Sequence, residues 1–234
     1  MWCLFRRVSF RHDRQRGDYL ITMKEQRMGK DPFNLIITGV GGQGTVMASR
    51  VISNMLSLQG YKITIGETFG ASQRGGPVMS HIRVSESGTW SPQIPKGQAD
   101  LVVALEPVET FRVLTVYGNP DVCVLANIHP TYPVGVIAGD LNYPILEEIE
   151  KTLHTLAGRV LLLDATKEAV DLGNPILSNI IMVGAVCALG ILPVGLREFE
   201  SAIRNMIPAK HQDLNVAAFK LGQTMSSHRI EEAG

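Results

Sequence analysis

Cysteine is scarce in this sequence. Only Cys3, Cys123 and Cys187 occur in 234 residues, far apart and without a Cys-x-x-Cys pair. An iron–sulfur cluster takes four thiolates, usually at tight spacing, so no cluster is expected on this chain. A sparse, odd count fits a reducing cytoplasm better than secretion. Cys123 and Cys187 sit in apolar runs and read as core residues. The six histidines form no His-x-His or His-Glu-x-x-His pair, so no metal site is expected. Charge of one sign is also missing. Lys plus Arg and Asp plus Glu both total 22, which argues against a nucleic-acid binder driven by a basic field. No apolar run approaches the ~20 residues that span a bilayer. The longest, "IIMVGAVCALGILPV" at 180–194, holds two glycines and a proline and reads as a buried helix, so no membrane partner is expected.

Hydrophobic residues make up 45% of the chain, enough for one domain with a core. The first 33 residues stand apart. They are Arg-rich, show no sustained period and lack the apolar stretch of a secretory signal. They read as a disordered or non-native extension, with Met23 and Met28 as alternative starts. Asp13, Asp18 and Glu25 speak against a transit peptide. The expected domain runs from 34 to 225, and 226–234 reads as a tail.

From residue 34 strands and helices alternate. "NLIITGV" (34–40) is fully apolar, as in a parallel sheet covered on both faces. In 45–60, Met47, Val51, Met55 and Leu58 fall on one helical face, and Gly60 is a stop. "YKITIGE" (61–67) is a second strand. "VMSHIRVSESGTWSPQI" (78–94) alternates and turns at Ser87-Gly88, which predicts a hairpin. Further strands are expected in 99–107, 121–128 and 159–166, and helices from Pro107 and over 141–158, 176–192 and 196–205. The fold class is α/β: a Rossmann-like, mostly parallel sheet with helices on both faces and an inserted antiparallel hairpin.

Four glycines crowd six residues in "GVGGQG" (39–44). Gly39, Gly41 and Gly44 match Gly-x-Gly-x-x-Gly between a strand and a helix, and Glu67 sits near where a ribose-binding acid would stand. Alone, this favours a stand-alone NAD(P) dehydrogenase. A phosphate-binding P-loop fails at Thr45, where the lysine is missing. The extra Gly42, and Gln43 with a side chain able to reach outward, weaken the dinucleotide reading. A second glycine-rich loop, "GETFGASQRGGPVMSH" (66–81), is expected to share a rim with the first. Glycines that only permit tight turns are the plain alternative.

Together, "GVGGQGTVMASRVI", "SQRGGPVMSHIR", "SPQIPKGQADLVVALEPVETFR" and "NVAAFKLG" resemble the gamma-type domain of 2-oxoacid:ferredoxin oxidoreductases, and among these the indolepyruvate type. The resemblance runs from about residue 34 to about 224, with "EPVETFR" where the family usually has "EPLEALR". It implies oxidative decarboxylation of a 2-oxoacid to an acyl-CoA, with electrons passed to ferredoxin. Thiamine diphosphate and iron–sulfur clusters would belong to a catalytic partner subunit. None is expected on this chain, which lacks a thiamine-diphosphate motif as well as clustered cysteines. The chain would complete the active-site cleft or the coenzyme A path and be inactive alone, pairing with the partner or, when isolated, with itself. A purely structural partner subunit is the other reading.

Under this resemblance Gly39, Gly41, Gly42 and Gly44 offer backbone N–H groups at a helix N-terminus, an anion-friendly place. Gln43 adds a neutral donor and acceptor. Arg74 can hold a phosphate or carboxylate, Gly75 and Gly76 let the backbone come close, and Ser72 and Gln73 orient that loop. Glu106 faces the same rim, either in function or as a solvated or helix-capping acid. Asn215, Ala218, Phe219 and Gly222 read as contacts of the last helix.

Overall fold

The computed structural model describes residues 28–70, 76–132, 134–140 and 142–232. At its centre is β1 (Phe33–Val40), buried at every position. The reason is period two: alternate side chains enter different cores. Leu35 and Ile37 join one apolar cluster and Ile36 the other. β4 (Leu101–Ala104) and β5 (Cys123–Asn127) divide the same way, with Leu101, Val103 and Leu125 on the first side and Val102, Val124 and Ala126 on the second. Strands covered on both faces are near-continuously apolar; in β1 the exceptions, Asn34 and Thr38, are buried and donate to Gln98 O and Val78 O.

The sheet has six strands in the order β2-β3-β1-β4-β5-β6, with β2 at Lys62–Phe69, β3 at Pro77–Ser85 and β6 at Arg159–Leu163. β1, β4, β5 and β6 are parallel. β3 lies antiparallel between β1 and β2, in register from Phe33↔Val84 to Val40↔Pro77. The hairpin is therefore β2–β3, not a turn at Ser87-Gly88. The residues after β3 form no strand before β4. Pro92 and Pro95 lack the N–H a strand would donate. This segment crosses the hairpin instead: Pro92 packs against Gly66, and the Arg83 guanidinium lies 5.1 Å from the centre of the Trp90 ring.

One face carries α1 (Thr45–Leu58), α6 (Ser178–Ala188), α7 (Leu196–Ile203) and α8 (Ala209–Glu232). The other carries α2 (Pro107–Tyr117) and α4 (Leu146–Leu156). α3 (Val134–Ile137) is one turn, and α5 (Ala165–Asp171) follows β6. The buried stripe of α1 is rotated from the expected one: Ala48, Val51, Ile52, Met55 and Leu56 are buried, while Leu58 is exposed. α4 starts later than 141 because Pro144 cannot donate inside a helix. α6 is buried along its length. No helix among the described residues is long and apolar enough to cross a membrane.

The extension is attached at its end. Lys30 Nζ bonds Asp100 Oδ1 at 2.6 Å, Asp31 accepts from Ser87 Oγ at 2.8 Å, and Met28 packs on the core. Residues 1–27 lie outside the described residues. The expected tail begins inside α8, which continues to Glu232 with Ser226 fully buried.

Candidate functional site

All four parallel strands point their carboxyl ends at one rim, where α/β sheets place ligands. The glycine loop leaves β1 there. Gly44 caps α1 at φ 84, a left-handed conformation that a Cβ disfavours. Gly42, at φ 106, is exposed, and an added Cβ there would meet nothing within 4 Å. Gly39 is crowded: its Cβ would stand 2.7 Å from Gln43 Oε1 and 3.1 Å from Leu105. Gly41 N–H donates to Gly76 O at 2.8 Å. The two glycine-rich loops thus meet on one rim, through antiparallel β3 rather than through adjacent parallel strands. Ser72, Gln73, Arg74 and Gly75 lie outside the described residues.

Gln43 does not reach outward. Its Oε1 accepts from Val40 N–H at 2.7 Å, while its Nε2 donates to Leu105 O at 3.1 Å and to Thr131 Oγ1 at 3.0 Å. A primary amide has one oxygen and two N–H groups, and all are committed here. The side chain braces the loop and leaves the backbone at Gly42 exposed on the rim.

Glu106 is 2% exposed, so it is not a solvated acid. Its Oε2 caps α2 by accepting from Glu109 N–H at 2.8 Å. Its Oε1 accepts a short bond from the Tyr143 hydroxyl and a long one, 3.5 Å, from Thr131 N–H. Burial, then the Glu106 bond and charge, push the Tyr143 hydroxyl well above the ordinary phenol range, so it stays a donor. Asn127, at the end of β5, completes the brace: Nδ2 donates to Leu105 O at 3.1 Å and to Thr166 Oγ1 at 2.9 Å. The loops after β1, β4, β5 and β6 are thus tied together. Thr131, Tyr143 and Asn127 were missed in the sequence because polar loop residues carry no period. A glutamate directly before Pro107 was the one available signal, since Pro at the first helical position marks the residue before it as the cap.

Two expectations about chemistry can be tested on the residues. In a dinucleotide fold the acid-bearing strand lies next to the glycine-loop strand. Here β3 separates them and Glu67 is exposed on the edge strand, so the ribose-binding arrangement is not formed. Nor do the described residues fit a cluster. Cys123 and Cys187 are buried singly, and burial pushes their thiols up to about 11 and about 12, away from the thiolate that binds metal. Among the described residues no three His, Cys, Asp or Glu side chains group as metal ligands.

A family model described as "Pyruvate ferredoxin/flavodoxin oxidoreductase" matches residues 34–225. Indolepyruvate oxidoreductase subunit IorB of Pyrococcus horikoshii is 36% identical over 191 residues, covering 81% of this chain and 94% of that protein. 2-Oxoglutarate synthase subunit KorC of Methanothermobacter marburgensis is 26% identical over 192 residues, covering 81% and 94%. The crystal structure of the keto/oxoacid ferredoxin oxidoreductase gamma subunit from Geobacter sulfurreducens superposes with a TM-score of 0.59 at 20% identity, covering 83% of this chain and 98% of that one. The chain belongs to the pyruvate ferredoxin/flavodoxin oxidoreductase family.

Proposed function

We propose, from that membership, that the chain is the gamma-type subunit of a 2-oxoacid:ferredoxin oxidoreductase and acts with a separate catalytic subunit in the cytoplasm. The observation that carries this reading is the rim. Gln43 and Glu106 are spent on bracing, and the braced loop presents backbone at Gly41 and Gly42 beside Gly76. A surface of that kind completes a cleft; it does not supply a nucleophile or a general base. Thiamine diphosphate would supply the carbanion chemistry and iron–sulfur clusters the electron path, both on the partner, since the described residues group no cluster ligands and the sequence carries no thiamine-diphosphate motif. The glycine loop at the start of α1 suits a phosphate or carboxylate of a bound molecule, coenzyme A being the expected one. Arg74, with Ser72 and Gln73, is proposed as the charged arm of that cleft, and Gly75 and Gly76 as its close-approach backbone. An aryl pyruvate such as indolepyruvate is the proposed substrate, in keeping with the 36%-identical relative. Residues 34–225 are the proposed functional unit.

The test is reconstitution with the catalytic subunit, read as 2-oxoacid-dependent dye reduction with coenzyme A. Activity should require both subunits and be highest with aryl pyruvates. Arg74→Ala should lower turnover or raise the coenzyme A requirement, and Arg74→Lys should recover only part of it. Full turnover by the catalytic subunit without this chain would overturn the reading. So would micromolar NAD(P) affinity of the chain alone by calorimetry.

A further inference from the structure

The two edges of the sheet are finished differently. β6, at one edge, is five residues long and has no exposed residue. β2, at the other, is eight residues long, and Lys62, Ile65, Glu67, Thr68 and Phe69 are exposed. Sheet edges are normally blunted by proline, a bulge, an inward charge or a covering loop, because open N–H and C=O groups pair with a strand that meets them. β2 has no proline, and it pairs with β3 without a break in register from Lys62↔Ser85 to Phe69↔Val78. Its lysine stands at the first position and is turned to Ser87 O at 2.9 Å. Phe69 is 59% exposed and Ile65 37%.

The ladder fixes which groups are open. In an antiparallel pair, residues bonded to the partner strand alternate with residues whose N–H and C=O point away. Gly70 N–H donates to Pro77 O at 2.8 Å, which extends the β2–β3 ladder and puts Thr64, Gly66 and Thr68 in the bonded set. Ile63, Ile65, Glu67 and Phe69 therefore turn both backbone groups outward. Among the described residues, no backbone bond joins these four to anything beyond the sheet. Their side chains share one face, the one where Ile63 packs on the α1 side core. The four lie symmetrically about Gly66. A second β2 run antiparallel about a twofold at Gly66 sets Ile63 opposite Phe69 and Ile65 opposite Glu67, and pairs every outward N–H and C=O of both strands. On the other face it sets Thr64 opposite Thr68. Aromatic–β-branched and Thr–Thr neighbours are among the stabilising cross-strand pairs. A twofold at Ile65 would instead set Phe69 opposite Tyr61, outside the strand.

We propose that two copies of this chain associate through β2, antiparallel about a twofold at Gly66, so that their sheets become one. Open backbone groups alone would accept many strands; the symmetric placement of Ile63, Phe69 and the two threonines is what fits a second copy. Each Phe69 then lies on the Ile63 of the other copy, which accounts for its exposure in the single chain. The paired strands run in opposite directions, so the two rims point apart and each stays free for its own catalytic subunit. The association is a property of the chain itself and needs no other subunit.

Sedimentation velocity of the full chain should show a monomer–dimer equilibrium, with dimer dominant at about 100 µM, as a small interface allows. Glu67→Pro removes an outward N–H and no bond to β3, the kind of position where an edge strand tolerates proline. It should leave the melting temperature of the dilute chain within a few degrees and weaken the dimer about tenfold or more, because each copy loses a bond. The register is tested by Thr64→Cys and Thr68→Cys in one chain. Directly opposed residues of a non-hydrogen-bonded pair stand about 4.5 Å apart at Cα, within disulfide reach. Mild oxidation should give covalent dimer from the double variant above the wild-type background. Neither single variant should, since its two thiols would lie four residues apart along the strands, about 14 Å. Should Glu67→Pro fail to fold, the cysteine variants decide. Three results would each overturn the proposal: a monomer at about 100 µM; an undiminished dimer in Glu67→Pro; or no more covalent dimer from the double variant than from either single one.

Discussion

A Cβ added at Gly184 would stand 2.0 Å from Phe219 O, and one added at Gly222 would stand 1.9 Å from Ile181 O, whereas one added at Gly42 would meet nothing. The glycines of the α6–α8 contact and those of the motif loop therefore serve different ends. In the first region glycine lets two backbones touch, and the benefit is packing. In the second, the conspicuous motif glycine at Gly42 is in open space, and its value is a left-handed turn that leaves backbone bare on the rim. The inconspicuous glycine inside an apolar helix is the more constrained of the two.

That contrast sets the largest expected effect. Gly184→Ala and Gly222→Ala each gain about 1 kcal/mol of helix propensity. Each also drives a methyl group into a carbonyl that belongs to a packed helix and cannot rotate away, so the overpacking cost exceeds the gain by about 3 kcal/mol or more. Thermal unfolding should show a drop of roughly 10 °C or failure to fold, at ~2–4 °C per kcal/mol for a chain of this size. A drop of only a degree or two in both variants would mean that α6 and α8 slide apart cheaply, and the comparison would collapse.

Next in size is the brace. Glu106→Ala removes the α2 cap and leaves the Tyr143 hydroxyl and Glu109 N–H without their acceptor. The expected loss is about 2–3 kcal/mol, from an orphaned buried donor and a lost cap together. Glu106→Gln should lie between, because an amide offers only one acceptor oxygen for donors on both sides. Near-UV circular dichroism should weaken as Tyr143 loses its bond and its edge contact with Tyr132, now at 5.1 Å. Unchanged stability in Glu106→Ala would show that the rim does not depend on this carboxylate.

Gly42→Ala comes third. Nothing blocks the methyl group, so only the backbone conformation at φ 106 opposes it, about 1 kcal/mol. Melting should fall by only a few degrees, while the reconstituted complex should lose turnover if bare backbone at Gly42 meets the partner or coenzyme A. Normal turnover with normal assembly would confine Gly42 to a turn.

What could be read from the sequence follows the same divide. The β1–loop–α1 unit was legible because a continuous apolar run gives way to period 3.6 across a glycine cluster. Pro107 marked the start of α2, and the continuous apolar run of α6 marked burial. Strand neighbours were not legible: β3 mixes Ser80, His81 and Arg83 with apolar residues and so reads as an alternating hairpin strand, and nothing in its residues says that it inserts between β1 and β2. The glycine loop could be found, but the direction of Gln43 could not, since its partners Leu105 and Thr131 are 62 and 88 residues away.

The smallest effect concerns Glu109, the carboxylate nearest the brace. It is 7% exposed and pairs with Arg112 at 3.3 Å in an i,i+3 geometry. Burial raises its carboxyl above the ordinary carboxylate range, the Glu106 charge adds to this, and Arg112 opposes both. A raised acid binds its proton more tightly folded than unfolded. Its contribution to stability is therefore full below the unfolded carboxylate range and is lost as pH rises through the folded value. At neutral pH the ionised group is a small liability that the brace tolerates. Glu109→Gln removes the buried charge and keeps the shape and the N–H that Glu106 accepts from. Melting should rise by a degree or two at pH 7, and the gain should shrink as the pH falls through the raised range in which wild-type Glu109 regains its proton. A loss of stability at pH 7 would mean that the Arg112 pair outweighs burial, and the rim would then gain from its second carboxylate as well as its first.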